Sequence, residues 1–154
     1  MTTIEQATER ATVAATPAAC FDVVVDFERY PEWAFDVKEA EILERDEQGR
    51  GVHVSFVASA MGLSAHYVLT YDYSQAPTQL SWTLKSGDIV RRLDGEYIFE
   101  PSSFGPDQTD VTYELTIELA VPLPGFVKRR AESKIVTTAL DELKRRCEEA
   151  GLGG

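Results

Sequence analysis

Apolar and polar residues alternate almost without interruption from Val37 to Val121, in runs separated by short turn sequences. Alternation with a period of two places successive side chains on opposite faces of a β-strand. Glycine-containing segments such as DEQGRG at 46–51 and SGD at 86–88 separate the runs. Because connections this short join antiparallel neighbours, the sequence predicts six consecutive strands in a meander.

A further strand and a helix precede this meander. Residues 10–15 alternate like a half-buried strand. Thr16 followed by Pro17 is typical of a helix N-terminus, where the missing N–H of proline costs nothing. The helix should end near Asp26, and Pro31 predicts a break between two short helices because the residue before a proline avoids the helical region.

A long amphipathic helix is predicted after the meander. Its apolar stripe includes Val136 and Leu140, and it should run from about Gly125 to Glu149, with Gly151 as a natural stop. At about 1.5 Å per residue, such a helix is roughly 35 Å long, enough to lie across a whole sheet.

Composition limits the classes of protein to which the chain could belong. Its 154 residues, 44% of them hydrophobic, suit one globular domain. No apolar run approaches the roughly 20 residues of a membrane span, and the first twelve residues do not resemble a signal peptide, so we expect a cytoplasmic protein without integral membrane association. A net charge of -11 argues against nucleic acid as a partner.

Charge is unevenly distributed along the chain. From Lys128 onward there are seven basic and five acidic residues, against a strongly acidic remainder. This pattern favours a solvated helix face, and a docking patch for an anionic partner or a membrane surface is the alternative. The cysteines, Cys20 and Cys147, lack metal-motif spacing, so we interpret them as small buried hydrophobic residues and predict no metal site.

One face of the predicted sheet is unusually rich in tyrosine and tryptophan. By alternation it carries Phe56, Tyr67, Leu69, Tyr71, Trp82, Leu84, Tyr97, Phe99, Tyr113 and Leu115. Both histidines, His53 and His66, fall on the opposite face. The aromatic face is either a core whose hydroxyls find partners, or the wall of a ligand cavity, to which Phe126, Val136 and Leu140 of the long helix would contribute.

The aromatic face offers few groups that could carry out catalysis. Arg91 shares the parity of the inward residues, and a bulge at Gly95 within one long strand would turn Arg92 inward instead. Arg91 and Tyr97 are therefore the candidate catalytic residues, and solvent-facing arginines are the alternative. No glycine-rich phosphate loop or metalloprotease motif is present, so no cofactor is predicted.

The segment DFERYPEW at 26–33 concentrates aromatic residues where the first helix should end. One interpretation is that Phe27, Tyr30 and Trp33 plug one end of the core. The other is an apolar rim of Tyr30, Trp33 and Phe35 past which a ligand enters. The second interpretation adds these three residues to the predicted ligand site.

The order of elements, with FDVVVDFERYPEW after the first strand and PLPGFVKRRAESKIVTTALDELKRRCE at the end, resembles the helix-grip, START-like (SRPBCC) superfamily. Within it, the chain is most similar to proteins called polyketide cyclase/dehydrase or coenzyme-Q-binding-like. The resemblance implies an α+β fold in which a curved antiparallel sheet of about seven strands wraps a long C-terminal helix, with two short helices after strand 1. It covers a single domain, 1–154, with its core at about 8–149.

The resemblance also implies a cavity that takes lipids, polyketides, sterols, quinones or plant hormones. We therefore expect binding or transport of a small hydrophobic or amphipathic ligand. The first alternative is a cofactor-independent polyketide cyclase, aromatase or dehydratase that acts in the same cavity. The second is a protein-interaction module, and an exposed first strand or outer sheet face leaves a weak homodimer open.

Overall fold

The computed structural model describes residues 5–60, 62–120 and 124–152. Seven strands form one antiparallel sheet in the order β1-β7-β6-β5-β4-β3-β2. Their bounds are β1 Glu5–Val13, β2 Val37–Arg45, β3 Gly51–Ala60, β4 Leu63–Asp72, β5 Gln79–Gly87, β6 Val90–Ser102 and β7 Gly105–Leu119. The predicted six-strand meander is confirmed, and β1 pairs with the free edge of β7. The predicted strand end at Val121 lies outside the described residues.

Helix α1, Pro17–Val25, begins as predicted, because the Thr16 side chain accepts a hydrogen bond from the Ala19 N–H at 3.2 Å. A 3₁₀ helix, Phe27–Glu32, follows immediately. The two short helices predicted after β1 are confirmed, but the break between them is at Asp26, and Pro31 lies inside the second helix. The N–H groups of Trp33 and Ala34 both donate to the Tyr30 carbonyl oxygen, at 3.1 and 2.7 Å, where this helix ends.

Helix α2, Gly125–Leu152, is the predicted long helix. Its core stripe of Val136, Leu140, Leu143 and Cys147 is buried. The helix continues past the predicted stop at Gly151, since one glycine costs only about 1 kcal/mol in a helix and does not by itself end it. Cys147 lies beside Cys20 of α1, and both are free and fully buried, as the sequence predicted.

Three polar contacts fix the C-terminal part of α2 to the rest of the chain. Glu148 accepts a hydrogen bond from the Ala14 N–H at 2.9 Å, and Arg146 pairs with Glu32 of the 3₁₀ helix at 2.9 Å. Glu142 accepts a hydrogen bond from the Phe35 N–H at 2.9 Å. These contacts place α2 against the chain that enters α1 and leaves the 3₁₀ helix.

Strand β6 is one continuous strand, as predicted, but its bulge is not at Gly95. The register with β7 shifts between Val90 and Arg92, whereas Gly95 pairs regularly with Leu115. Gly95 is needed for a different reason: an added Cβ would lie 2.5 Å from Trp82 Cζ2 and 2.7 Å from the Glu114 carbonyl oxygen. The glycine therefore lets the Trp82 ring lie directly on the backbone of β6.

This bulge decides the direction of both arginines. At the bulge, β6 has one residue more than β7, so the alternation of its side chains shifts. As a result Val90 and Leu93 are both buried, and Arg91 and Arg92 are both exposed. The predicted inward orientation of Arg91 is therefore wrong, and Arg92 is also outside, paired with Asp94 at 2.9 Å.

The assignment of sheet faces is otherwise confirmed. The face toward α2 buries Val54, Phe56, Leu69, Tyr71, Leu80, Trp82, Tyr97, Phe99, Tyr113, Leu115 and Ile117. Both histidines lie on the other face, where His53 contacts Thr70 Oγ1 at 3.1 Å and His66 contacts Ser55 Oγ at 2.8 Å.

Candidate functional site

A cavity of about 230 Å³ lies between the inner face of the sheet and α2. The sheet contributes most of its wall, and α2, the 3₁₀ helix and the segment before β2 close the remaining sides. Its lining consists of Tyr30, Trp33, Ala34, Asp36, Val37, Phe56, Ala58, Leu63, Ala65, Tyr67, Leu69, Tyr71, Trp82, Ile89, Val90, Leu93, Tyr97, Tyr113, Leu115, Ile117, Leu119, Ala131, Ile135, Thr138, Ala139 and Glu142.

One end of the cavity is closed by aromatic rings, and we call the group of Tyr71, Trp82, Tyr97 and Tyr113 the closed end. The ring centroids of Tyr97 and Tyr113 are 4.7 Å apart, and Trp82 lies 5.4 Å from Tyr97 and 5.8 Å from Tyr71. All four side chains are buried. Tilted contacts at these distances are favourable, so the closed end is a packed aromatic wall.

The tyrosine hydroxyls of the cavity differ in their hydrogen bonding. The Tyr30 hydroxyl donates to the Val24 carbonyl oxygen at 2.5 Å. The hydroxyls of Tyr67, Tyr71, Tyr97 and Tyr113 have no hydrogen-bond partner among the described residues. Buried polar groups are normally paired, so the cavity holds four donors that the protein itself leaves available.

Burial keeps these four phenols protonated. It raises the pKa of Tyr67 to about 12, and it raises the pKa values of Tyr71, Tyr97 and Tyr113 well above the usual value for tyrosine. At neutral pH each can donate a hydrogen bond, and none can act as a base.

The other end of the cavity is lined by small and partly exposed residues, and we call it the open end. Asp36 and Leu63 are exposed there, and Ile135, Thr138 and Glu142 of α2 are partly exposed. Alanines at 58, 65, 131 and 139 line the same region. Because the alanine side chains are short, the sheet and α2 do not fill the space between them. The exposed lining residues show that the cavity reaches solvent here.

Glu142 and Asp36 are the charged residues in the described lining, and both belong to the open end. Desolvation raises the pKa of Glu142, and the nearby Asp36 charge adds to the rise, while the hydrogen bond from the Phe35 N–H opposes it. Alternation along the strands could not reveal either carboxylate, because Asp36 precedes β2 and Glu142 is on α2.

Ten residues of the predicted ligand site line the cavity: Tyr30, Trp33, Phe56, Tyr67, Leu69, Tyr71, Trp82, Tyr97, Tyr113 and Leu115. Their contact with a ligand stays a prediction. Tyr97, the second catalytic candidate, points inward as expected, but Arg91 is exposed and does not line the cavity.

Three other predicted residues on the sheet and its connections do not line the cavity. Phe35 is 56% exposed, with the Arg145 guanidinium 5.0 Å from its ring centroid. Phe99 lies beyond the closed end, under α1, where it meets Phe21 edge to face. Leu84 packs against the core past the point where β5 stops pairing with β6.

Helix α2 contributes to the cavity wall as predicted, but not through the three predicted residues. Phe126 is 65% exposed, and Val136 and Leu140 are buried in the core. The cavity instead meets the adjacent side of α2, at Ala131, Ile135 and Ala139. The sequence did offer a signal for this side of the helix. Ala131 and Ala139 are eight positions apart on one helix face, and their small side chains leave space that larger ones would fill.

The two interpretations of DFERYPEW apply to different residues. Phe27 is fully buried and packs on Tyr71 with ring centroids 4.4 Å apart, so it belongs to the core. Tyr30 and Trp33 form cavity wall, with centroids 4.8 Å apart. Phe35 lies outside, so the three do not form a continuous rim.

Neither a metal centre nor a membrane span emerges from the part of the chain that the structure describes. No group of three or more His, Cys, Asp and Glu residues there is arranged to hold a metal ion. None of the described helices is long and apolar enough to cross a membrane.

A curved seven-stranded sheet around a long C-terminal helix, with an apolar cavity between them, defines the START-like class of proteins. The chain belongs to the family described as "Polyketide cyclase / dehydrase and lipid transport", whose model matches residues 13–144. A search of curated proteins found no match.

Solved structures of three bacterial proteins are similar along nearly the whole chain. A START superfamily protein from Mycobacterium smegmatis is 26% identical, with a TM-score of 0.79 and coverage of 96% of this chain and 97% of that one. A protein from Thermus thermophilus is 22% identical, with a TM-score of 0.79 and coverage of 95% and 99%. The Zhui aromatase/cyclase from Streptomyces sp. R1128 is 15% identical, with a TM-score of 0.78 and coverage of 95% and 94%. The last two likenesses concern the fold alone.

Proposed function

We propose that the protein binds a small, mostly apolar molecule that carries hydrogen-bond acceptors, in the cavity between the sheet and α2. The observation that carries this proposal is an apolar cavity in which four tyrosine hydroxyls have no partner among the described residues. Binding sites are mostly apolar with a few convergent polar groups, which is the arrangement found here.

Cavity volume limits the size of the ligand. An engineered cavity of about 150 Å³ takes up benzene. The present cavity of about 230 Å³ is larger, and it suits a molecule of one or two rings or a short chain. The rest of a longer lipid would have to extend through the open end.

The closed end favours a particular ligand chemistry. Neutral phenols that can donate but have no protein acceptor match carbonyl, ether or hydroxyl oxygens on a ligand. A buried donor left unpaired costs about 1–3 kcal/mol, so a ligand that supplies an acceptor gains more than its apolar contacts alone. An oxygenated ring system, such as a small quinone or polyketide, meets this requirement.

The alternative function, a cyclase or dehydratase acting in the same cavity, rests on family membership and on the phenol donors at the closed end. Our sequence-based form of it required an inward Arg91 or Arg92, and both are exposed. The two lining carboxylates, Asp36 and Glu142, belong to the open end, away from these donors. Proton transfer needs a base within hydrogen-bond reach of the reacting carbon, so binding without chemistry is the better supported proposal.

A neutral fluorescent probe tests the proposal directly. 6-Propionyl-2-dimethylaminonaphthalene, which has two fused rings and a carbonyl oxygen that can accept a hydrogen bond, should bind with increased fluorescence and saturate at one molecule per chain. Ala139→Leu fills the cavity from the α2 side and should weaken binding at least about ten-fold, since overlap with the added side chain must be relieved.

The matched control is Thr137→Leu, which adds bulk on the exposed side of the same helix turn and should leave the affinity unchanged. Equal affinity in Ala139→Leu and the unmodified protein would place the probe outside the cavity and contradict the proposal. Native mass spectrometry of freshly purified protein would then identify any retained natural ligand by its mass.

A further inference from the structure

Two carboxylates lie close together at the open end of the cavity. The Phe35 N–H donates to Glu142 Oε2 at 2.9 Å, so Asp36, the next residue, lies beside this carboxylate, and both acidic side chains line the cavity. Asp36 is also fixed from the sheet, because its carbonyl oxygen accepts a hydrogen bond from the Ser59 N–H at 2.8 Å. The pair therefore occupies a defined place between α2 and β3.

The part of the chain that the structure describes does not neutralise these two carboxylates. Neither forms an ion pair there, and no lysine or arginine is among the described residues of the lining. Arg145 lies nearby, but its guanidinium packs over the ring of Phe35, 5.0 Å from the centroid. Desolvation and the Asp36 charge raise the pKa of Glu142, so the protein itself compensates this charge only in part.

The closed end of the same cavity independently indicates a ligand. Tyr71, Tyr97 and Tyr113 are each at most 7% exposed, and their hydroxyls have no partner among the described residues. These phenols need an acceptor, whereas the open end offers acceptors and needs a donor. A molecule meets both requirements if its apolar body carries an oxygen acceptor at one end and a positively charged donor at the other.

We propose that the ligand is an amphipathic amine, with its ammonium group bound by Asp36 and Glu142 and an oxygen on its ring system bound by the phenols of the closed end. This inference rests on the proposed function and narrows the class of ligand. An ammonium N–H and a carboxylate form a charge-assisted hydrogen bond, which is stronger than a neutral one. A carboxylic acid would instead place a further negative charge beside the pair, so the cavity should reject it.

A metal ion fits the two carboxylates less well than an amine does. Calcium takes about six to eight oxygen ligands. Within the described ranges, no group of three or more His, Cys, Asp and Glu residues is arranged to hold a metal ion. The remainder of the lining is mostly apolar, which suits the body of an organic cation.

Competition among three compounds that share one ring system tests this inference. They are 2-(6-methoxynaphthalen-2-yl)ethylamine, the corresponding ethanol and 6-methoxynaphthalene-2-acetic acid, each used to displace 6-propionyl-2-dimethylaminonaphthalene from the full chain. At about pH 7 the amine is positively charged and the acid is ionised. We expect the amine to bind about ten-fold more tightly than the alcohol, and the acid about ten-fold more weakly, because charged hydrogen bonds are stronger but both carboxylates are partly in water.

The double variant Asp36→Asn and Glu142→Gln removes both charges and keeps an acceptor for the Phe35 N–H. The ratio of amine to alcohol affinity should fall from about ten to about one, and the acid should approach the alcohol. The matched control is the double variant Asp141→Asn and Glu149→Gln, which changes the net charge equally at exposed positions of α2 that do not line the cavity. Its ratio should stay at about ten.

Two results would overturn the inference. One is equal affinity of the unmodified protein for amine and alcohol, or tighter binding of the acid, which requires no variant. The other is a preference for the amine that persists after both charges are removed, since another group would then bind the ammonium.

The fluorescent ketone separates this inference from the proposed function. If the ketone binds and Ala139→Leu weakens its binding, but the amine is not preferred, the inference alone fails. If the ketone does not bind, or binds Ala139→Leu equally well, the proposed function fails and the inference fails with it.

Discussion

The two ends of the cavity share one sheet face and one sequence pattern, yet they are built differently. At the closed end large aromatic rings pack against one another. Behind them, the fully buried Phe27 packs on Tyr71, with ring centroids 4.4 Å apart. At the open end alanines such as Ala58 and Ala139 leave sheet and helix apart. Alternation thus decides which residues face inward, and side-chain volume decides whether the inward space becomes core or cavity.

The largest effect is expected from Phe27→Ala, which removes a fully buried ring at the closed end. Loss of its contacts with Tyr71, Tyr30 and Phe56 should lower the free energy of unfolding by about 3–5 kcal/mol. Urea denaturation measures this. Phe104→Ala is the control, because that ring is 77% exposed and its loss should change stability by less than about 0.5 kcal/mol. Similar values for the two variants would contradict the division into core and surface.

A smaller loss is expected from Gly95→Ala, which places a methyl group between β6 and the Trp82 ring. The new Cβ would lie 2.5 Å from Trp82 Cζ2, so the indole must move. This movement should lower the free energy of unfolding by about 1–3 kcal/mol. A shift in tryptophan fluorescence should accompany the loss. Gly125→Ala is the control, because an added Cβ at Gly125 would meet no atom within 4 Å and should not destabilise the protein. An equal loss of stability in both variants would mean that contact with Trp82 is not the cause of the loss.

Tyrosine-to-phenylalanine variants sharpen the distinction between paired and unpaired hydroxyls. Tyr30→Phe leaves the Val24 carbonyl without its partner and should lower the free energy of unfolding by about 1–2 kcal/mol. Tyr113→Phe removes a buried hydroxyl that has no partner in the described chain, so the free energy of unfolding should not fall, and it should rise by at most the roughly 1–3 kcal/mol that an unpaired buried donor costs. Chemical denaturation of both variants provides the measurement. Equal destabilisation would mean that Tyr113 has a structural partner.

The smallest effects concern two carboxylates of α2 with opposite pH dependence. Hydrogen bonds from Lys144 and the Ala14 N–H lower the pKa of Glu148, so its contribution to stability is present above about pH 4.3 and is lost as pH falls further. Desolvation raises the pKa of Glu142, so its contribution is fully present below about pH 4.3 and is lost as pH rises through the folded-state value.

Urea titrations at several pH values test this pair through glutamine variants. The destabilisation caused by Glu148→Gln should shrink as pH falls below about 4.3, and Glu142→Gln should gain stability relative to the unmodified protein as pH rises above it. Each difference should stay below about 1 kcal/mol, because both groups are partly in water. Parallel pH profiles for the two variants would contradict the assigned directions.

Much of the fold could be predicted because it depends on local patterns. Alternation identified the strands and their inner face, and Thr16 with Pro17 marked the start of α1. The position of the bulge could not be predicted in this way. Only Gly95 suits a bulge by composition, whereas the register with β7 places the bulge at Arg91 and the packing of Trp82 explains the glycine.

The residues of α2 that line the cavity were missed for a related reason. An amphipathic stripe shows which side of α2 is apolar, but not how the helix is rotated about its axis. Burial of Val136 and Leu140 in the core turned Ala131 and Ala139 toward the cavity. That rotation is settled by tertiary contacts, as was the approach of Glu142 to the open end.

The contacts that fix α2 at Glu142, Arg146 and Glu148 have a consequence for how the protein opens. Ala131 and Ile135, which cover the cavity, precede all three contacts. A helix held at one end opens first at the other, by local unfolding that costs less free energy than unfolding the whole chain. We therefore expect amide hydrogens around Ile135 to exchange with deuterium ahead of those around Cys147. The same partial opening would admit a ligand while every strand of the sheet stays paired.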